Sequence, residues 1–341
     1  MQKIFVTGCT GYIGSHTCVE MLEAGYEVVG LDNFSNSKPI VLEKIKEITG
    51  KSIKFYEGDM LDKNLLEKIF EENEISMVID FAAFKSVGDS VNKPIEYYIN
   101  NVSSVLTLLT IMKNHNVKSL IFSSSATVYG NPEKMPITEE SKIGGTTNPY
   151  GTSKLFVEKI LEDLYISDKN WNICIFRYFN PVGAHPSGLI GEEPNGIPAN
   201  LMPYISKVAT GELKELSIYG KDYNTKDGTG VRDYIHIMDL AKAHINGIEK
   251  INSLDKGSLL IYNLGTGRGY SVLEMVESFE KANGVKVPYK IVERRPGDIA
   301  ECYADASKAK NELNWTAKLG LDDMCRDAYN FNINNKKDYE K

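Results

Sequence analysis

The chain has 341 residues, 42% hydrophobic and 25% charged, enough to bury a core in one large domain or two of ordinary size. Its formal charge of −7 and the lack of a Lys/Arg block argue against nucleic acid as a partner. Met1–Gly8 reaches polar residues too soon for a signal peptide and no apolar run suits a membrane helix, while five scattered cysteines (Cys9, Cys18, Cys174, Cys302, Cys325) lack metal-ligand spacing, so a reduced, cytoplasmic protein is expected.

Lys3 to Thr7 reads as a short buried strand, followed at once by Gly8-Cys9-Thr10-Gly11-Tyr12-Ile13-Gly14. A helical pattern through Val19, Met21 and Leu22 stops at Gly25, and Tyr26 to Leu31 is the next strand, ending in Asp32-Asn33. This βαβ unit has a glycine-rich first turn, where the backbone can approach a pyrophosphate favoured by the helix N-terminus. The spacing is G-x-x-G-x-x-G, so the glycines alone are weak evidence; the acid 18 residues beyond Gly14 strengthens the reading. Asp32 can accept hydrogen bonds from an adenosine ribose and would repel a 2′-phosphate, which favours NAD over NADP.

The alternation continues with helix Ile40 to Ile48, strand Ser52 to Tyr56, helix Leu65 to Phe70 and strand Met77 to Asp80. A long helix from about Ile95 to Lys113 precedes strand Leu120 to Ser123. The expected architecture is α/β, a doubly wound parallel sheet with a smaller mixed α/β domain after it. Ligands bind such sheets beyond the carboxyl ends of the strands. The glycine loop, Asp32, Asp59-Met60, Phe81-Ala82-Ala83-Phe84-Lys85 and Ser123-Ser124-Ser125 all fall at such ends.

Tyr150-Gly151-Thr152-Ser153-Lys154 opens a helix that runs to about Ile166, which puts the phenol of Tyr150 and the ammonium of Lys154 on one face. A phenol with a pKa of about 10 acts as a base near neutrality only if its phenolate is stabilised by roughly 3 units, and an adjacent cation supplies part of that. The bland alternative is a tyrosine and a lysine in an ordinary amphipathic helix.

Strand Asn172 to Arg177 follows, ending in Tyr178-Phe179-Asn180-Pro181-Val182-Gly183. Residues 181 to 232 are rich in Gly, Pro and Asn, with one helix from about Leu201 to Thr210, and mark a second domain. Tyr234 to Asn246 and Ile261 to Gly265 look like a helix and a strand, candidates to return to the first domain. A helix near Val272 to Asn283, a strand near Tyr289 to Val292, loops, short helices and a frayed Asn334 to Lys341 complete the chain. The histidines form no H-x-x-x-H cluster, so no metal is expected, and His236 is read as structural.

With Gly8/Gly11/Gly14, Asp32, Ser125 and Tyr150/Lys154 in hand, the chain resembles the extended short-chain dehydrogenase/reductase family and, within it, the UDP-glucose (UDP-galactose) 4-epimerases. Further stretches carry the likeness: Ser123 to Gly130, Arg177 to Pro181, Gly228 to His236, Arg294-Arg295-Pro296-Gly297-Asp298 and Asn314-Trp315. The resemblance implies reversible 4-epimerisation through a transient 4-keto sugar and tightly bound NAD. Tyr150 would take the proton from the sugar 4-hydroxyl. Lys154 and the nicotinamide would lower the phenol's pKa, and Ser125 would position the reacting oxygen, a relay through Ser125 being left open. It implies an NAD-binding domain over 1–180, using Gly8, Gly11, Tyr12, Ile13, Gly14, Asp32, Asn33, Asp59, Met60, Phe81, Ala82, Ala83, Lys85, Asn100, Ser123, Tyr150, Lys154 and Phe179. It implies a UDP-sugar domain over 181–341, with Asn180, Asn200, Leu201, Tyr219, Arg232, Arg295, Asp298 and Cys302 joining Lys85, Ser125 and Tyr150 around the substrate. Arg232 and Arg295 would grip the diphosphate, Asn200, Leu201 and Tyr219 the uracil, Asn180 a phosphate and Asp298 the ribose.

Relatives that share the Tyr/Lys pair act on UDP-xylose or UDP-glucuronate or eliminate water. The 4,6-dehydratases resemble this chain but carry Asp-Glu where it has Ala126-Thr127, and decarboxylating relatives carry a glutamate near Thr127, so epimerisation is favoured. A non-catalytic NAD-binding sensor would usually lose the pair. Cys302 falls where some family members carry a pocket-narrowing tyrosine, which implies turnover of UDP-N-acetylglucosamine and UDP-N-acetylgalactosamine as well; a packing cysteine is the alternative. The wide apolar stripe of helix Tyr150 to Ile166, with Ile95 to Lys113, suggests a four-helix homodimer interface of the family's kind.

Overall fold

The computed structural model describes residues 2–194, 196–295 and 298–339; Pro296 and Gly297, quoted above for the family likeness, lie outside them, as do Glu340 and Lys341 at the chain's end. Contact clustering divides the chain into two units, the first made of residues 1–131, 139–178 and 241–262, the second of 132–138, 179–240 and 263–341.

In the first unit, apolar runs bounded by turn residues form β1 (Lys3–Thr7), β2 (Glu27–Asp32), β3 (Lys54–Glu57) and β4 (Met77–Asp80). They alternate with α1 (Tyr12–Glu23), α2 (Ile40–Thr49) and α3 (Lys63–Glu72). Next come α4 (Val87–Asn92), α5 (Pro94–Tyr98), a π-helical turn (Ile99–Ser103), α6 (Ser104–Asn114), β5 (Ser119–Ser125), α7 (Pro149–Ser167) and β6 (Asn172–Tyr178). The strand Ser258–Leu264 completes a seven-stranded sheet, ordered Ser258–Leu264, β6, β5, β4, β1, β2, β3. Pairings among β1 to β6 are all parallel, and the order reverses between β1 and β4, the crevice where such sheets take ligands. Phe5, Leu31, Val78, Phe122 and Ile175 from the sheet pack with Leu66, Leu108, Met112, Val157 and Leu161 from the helices in one core. Strands covered on both faces read as near-continuous apolar runs, which is why β1 and β4 stand out in the sequence.

In the second unit, Asn180–Val182 pairs with Tyr234–His236 and Leu216–Tyr219 with Tyr289–Val292, both parallel. Tyr270–Ser271, Val231–Arg232 and Glu301–Cys302 form a three-stranded sheet. Helices Leu201–Ala209, Val272–Asn283 and Leu321–Tyr339 supply Met202, Ile205, Met275, Phe279 and Met324 to a core with Ile218. His236 is fully buried between Met238 N and Asp327, a structural role.

Three expectations are corrected. The helix expected over Tyr234 to Asn246 is a strand, Tyr234–His236, followed by helix Ile237–Asn252; a three-residue buried run carries no period that separates the two. The single helix expected over Ile95 to Lys113 is interrupted by the π turn, and α4 precedes it. The end carries one short helix, Ser307–Leu313, as expected, and then a 19-residue helix, Leu321–Tyr339, that runs through the stretch from Asn334 expected to fray.

Candidate active site

The first turn is shaped by what its glycines lack. Gly8 sits at φ +64°, and a Cβ there would meet Ala82 N at 3.0 Å. A Cβ on Gly14 would lie 2.1 Å from the Gly8 carbonyl oxygen, so only glycine lets α1 start this close to the loop. Gly11 is the N-cap of α1 and no side chain caps that helix, so its first amides are left for an acceptor from outside. Asp32, 9% exposed at the end of β2, accepts Thr10 N (3.1 Å), Phe34 N (2.9 Å) and Ser37 Oγ (2.9 Å). Those bonds hold a carboxylate beside the glycine turn. Asn33 donates to Asp59 at 2.9 Å, which joins the ends of β2 and β3, and Met60 is buried behind them.

At the end of β4, Thr7 Oγ1 donates to Asp80 (2.6 Å) and accepts Phe81 N and Ala82 N (both 3.2 Å). Burial raises the carboxyl of Asp80 above its ordinary value. Ala83 and Lys85 follow on the same loop, with Lys85 Nζ 5.7 Å from the ring centre of Tyr12. The π turn holds Asn100 and turns Asn101 inward, where it exchanges bonds with both backbone groups of Phe84 (2.8 and 2.9 Å) and donates to Ser153 Oγ (3.0 Å). A π turn is an inserted residue in a helix, here one that fastens the β4 loop to α7.

Ser123 and Ser125 end β5, and Pro149 at N1 with Asn148 as N-cap starts α7 one residue before Tyr150. Ser125 Oγ accepts from Thr127 N (3.2 Å) and Thr127 Oγ1 (3.0 Å). Lys154, 4% exposed, donates to the Ser123 carbonyl at 2.6 Å. Burial lowers its pKa to about 8, opposed by the charges of Asp80 and Glu158. The half-buried Tyr150 is pushed above the usual phenol value by loss of water, with Ser125 drawing it back and Tyr97 adding to the rise. The spacing argument had the ammonium of Lys154 as the group that lowers the phenol. That ammonium donates to the Ser123 carbonyl, and the Ser125 hydroxyl also draws the phenol down.

In the second unit Arg232 Nη1 donates to the carbonyls of Val231 and Ile299 (both 2.9 Å), and Nη2 lies 3.7 Å from Asp298. Cys302 is in register with Arg232 on the neighbouring strand, its thiol pushed up to about 11 by burial. Arg295 Cζ lies over Tyr219, 3.8 Å from the ring centre. Asn200 donates to Glu192 at 2.8 Å, and Leu201 packs on the core that holds Ile218. Phe179 and Asn180 begin the unit, bonded to Leu264 and Asp233 through their backbone amides. Arg232, Asp298 and Cys302 thus share one small sheet and its flank, and Arg295 with Tyr219 forms a second pair.

Sequence reasoning missed Asn101, Thr7, Asp80, Glu158 and Arg177. Glu158 had a signal, since Tyr150, Lys154 and Glu158 form one i, i+4 series. Asn101 had none: only the π turn distinguishes it from Asn100.

Residues 5–328 match the family model described as GDP-mannose 4,6 dehydratase. A UDP-glucose 4-epimerase of Pasteurella multocida is 60% identical over 338 residues, 99% of each chain. The crystal structure of the Bifidobacterium longum UDP-glucose 4-epimerase in complex with NAD+ and UDP is 58% identical with a TM-score of 0.95, covering 98% of this chain and 99% of that one. A Stenotrophomonas UDP-glucose 4-epimerase with bound NAD and formylated UDP-arabinopyranose is 46% identical with a TM-score of 0.96, covering 99% and 100%. Ala126 and Thr127, which follow β5 directly, carry no carboxylate. The chain belongs to the UDP-glucose 4-epimerases of the extended short-chain dehydrogenase/reductase family.

Proposed function

We propose that the protein interconverts UDP-glucose and UDP-galactose through a transient 4-keto sugar. The observation that carries this reading is Tyr150 beside Ser125, one turn before the buried Lys154 on α7 at the end of a doubly wound sheet, with Ala126 and Thr127 in place of acids. The cradle at Gly8 and Gly14 and the buried acceptor Asp32 fit NAD: the glycines leave room for a pyrophosphate, and the carboxylate suits a ribose diol. Bound NAD supplies a hydride acceptor that also returns the hydride.

The chain's own residues do the rest. Tyr150 Oη takes the proton of the sugar 4-hydroxyl and gives it back, and Ser125 holds the reacting oxygen. Lys154, charged below about pH 8, supplies a fixed cation beneath them. Lys85 and Asn100 complete the sugar and cofactor contacts in the first unit. Arg232 and Arg295 hold the diphosphate, Asn180 a phosphate, Asp298 the ribose, and Asn200, Leu201 and Tyr219 the uracil. An anchored diphosphate lets the keto sugar turn over so that hydride returns to its other face.

Cys302 belongs to this reading as the residue that sets substrate range, with N-acetylated UDP-sugars accepted. Its small side chain beside Arg232 supports that. The apolar side chains of Val91, Ile95, Ile99, Phe156 and Ile166, 47–69% exposed, support a homodimer through α4 to α7. Light scattering at micromolar concentration should give twice the chain mass; a monomer mass removes the dimer. Among the described residues no helix is long and apolar enough to cross a membrane. The five cysteines form no disulfide among the described residues, which supports a cytoplasmic location.

The test is purified protein with UDP-galactose, coupling the UDP-glucose formed to its dehydrogenase and extending the assay to all four UDP-sugars. Product no faster than with Tyr150→Phe would sink the epimerase reading. A Cys302→Tyr variant that still handles N-acetyl sugars normally would refute the range assignment alone.

A further inference from the structure

We propose that Thr127 is a positioning residue: it holds the Ser125 hydroxyl as a hydrogen-bond donor aimed at the reacting oxygens. The proposal rests on the epimerase reading above. A serine hydroxyl has one hydrogen to give and two acceptor sites. Here both acceptor sites are taken by one residue, Thr127 N at 3.2 Å and Thr127 Oγ1 at 3.0 Å. The hydrogen of Ser125 is therefore left to point away from Thr127, toward the phenol and the sugar oxygen that would lie against it. Without the threonine hydroxyl, one acceptor site opens and the serine rotor is free to accept instead of donate.

Thr127 is itself held firmly. It lies in the short 3-10 turn Ala126–Tyr129, which Ser125 caps. A Cβ on Gly151 would come within 3.2 Å of Thr127 Cβ, so the first turn of α7 closes directly over this side chain. The side chain is therefore enclosed, and what it offers Ser125 is its hydroxyl.

The titratable groups that interact with the Tyr150 phenol are Tyr97 from α5 and Tyr178 at the end of β6; the ammonium of Lys154, one turn on along the same helix, is committed to the Ser123 carbonyl. Tyr97 raises the phenol, and Ser125 is the group that draws it down. A donor held in place thus makes the phenolate easier to form, and Thr127 does the holding. In the reaction the proton leaving the sugar 4-hydroxyl binds Tyr150 Oη, and Ser125 keeps its own hydrogen.

The experiment compares Thr127→Val, which keeps the shape and the backbone N–H, with Thr127→Ser, which keeps the hydroxyl, both as NAD-saturated protein. Because the chain has 19 tyrosines, Tyr150 is titrated by ultraviolet difference against Tyr150→Phe. In Thr127→Val the Tyr150 phenol should titrate higher by about 0.7 unit, the worth of one neutral hydrogen bond. The rising limb of kcat against pH should move by the same amount while KM for the UDP-sugar is unchanged. Thr127→Ser should return both to the wild-type position. A valine variant that titrates like wild type, or a serine variant as shifted as the valine one, overturns the proposal. The titration needs no turnover, so it separates failure of this inference from failure of the epimerase reading.

Discussion

Glu158 lies one helical turn beyond Lys154 and takes both arms of Arg177, Nε to Oε1 at 3.0 Å and Nη2 to Oε2 at 2.6 Å. The same carboxylate accepts the Ser124 hydroxyl at 2.5 Å, and Arg177 also donates to Tyr129 Oη at 2.8 Å. Helix α7, strand β5 and strand β6 are thereby tied together directly beneath the residues proposed for chemistry. The side chains of Arg177 and Glu158 are only 2% and 4% exposed, so desolvation offsets much of their attraction. What the pair contributes is position.

Removing one partner should therefore be far worse than the pair's net worth suggests. Glu158→Gln leaves the Arg177 guanidinium buried without its counter-charge, at a cost of about 3 kcal/mol. The unfolding midpoint in urea should fall accordingly, with an unchanged m-value. A midpoint equal to wild type would mean that another group neutralises Arg177.

Lys154 couples stability to pH. Its folded pKa is about 8 against an ordinary 10.5, because burial disfavours the ammonium. Below pH 8 both states are charged and the folded chain carries the whole cost. Between about 8 and 10.5 the unfolded chain binds a proton that the folded chain does not, so this site's share of stability rises with pH. Lys154→Met should be more stable than wild type at pH 7 by up to about 3 kcal/mol, while losing turnover. That advantage should shrink as the pH is raised through the window. Denaturant titrations of both proteins across it provide the check, and a constant difference would contradict a depressed lysine.

Gly14→Ala places a methyl 2.1 Å from the Gly8 carbonyl oxygen, 3.0 Å from the Gly8 carbonyl carbon and 3.1 Å from Cys9 Cα, all three of them backbone. The helix N-terminus must move away from the turn, so NAD affinity should drop at least about tenfold, the equivalent of one or two lost amide contacts. Fluorescence titration with NAD measures this. Gly320→Ala, whose Cβ would meet only Asp323 Oδ2 at an ordinary 3.8 Å, leaves that cradle intact and is the control.

Arg295 covers the ring of Tyr219, so a base that stacks there must displace a guanidinium. Tyr219→Ala should weaken UDP about tenfold, as expected for one lost base–aromatic stack, and Tyr219→Phe should not. Calorimetry with UDP distinguishes the two. Equal affinities in all three proteins would place the base elsewhere.

Much of this was legible along the chain. Buried parallel strands are near-continuous apolar runs, so Lys3–Thr7 and Met77–Asp80 were readable to the residue. The short strand Tyr234–His236 was not, because three buried residues carry no period. Nor was the π turn at Ile99–Ser103, where the reason for the interruption, Asn101 bonded to Phe84 and Ser153, lies in residues 17 and 52 positions away. The glycine turn, Asp32 and the Tyr150/Lys154 spacing were visible because each is local: a turn, a strand end, one face of a helix.

The sequence by itself determined the fold class, the glycine turn after the first strand and the placing of Tyr150 and Lys154 on one face of a helix, because these depend on backbone sterics and helical periodicity alone. Only the tertiary structure decided where the ammonium of Lys154 points, that Ser125 is held by Thr127, and that Glu158 and Arg177 lock α7 to the sheet. Those are contacts between residues distant in the chain, and the burial that sets their energies exists only once helix and strand have packed.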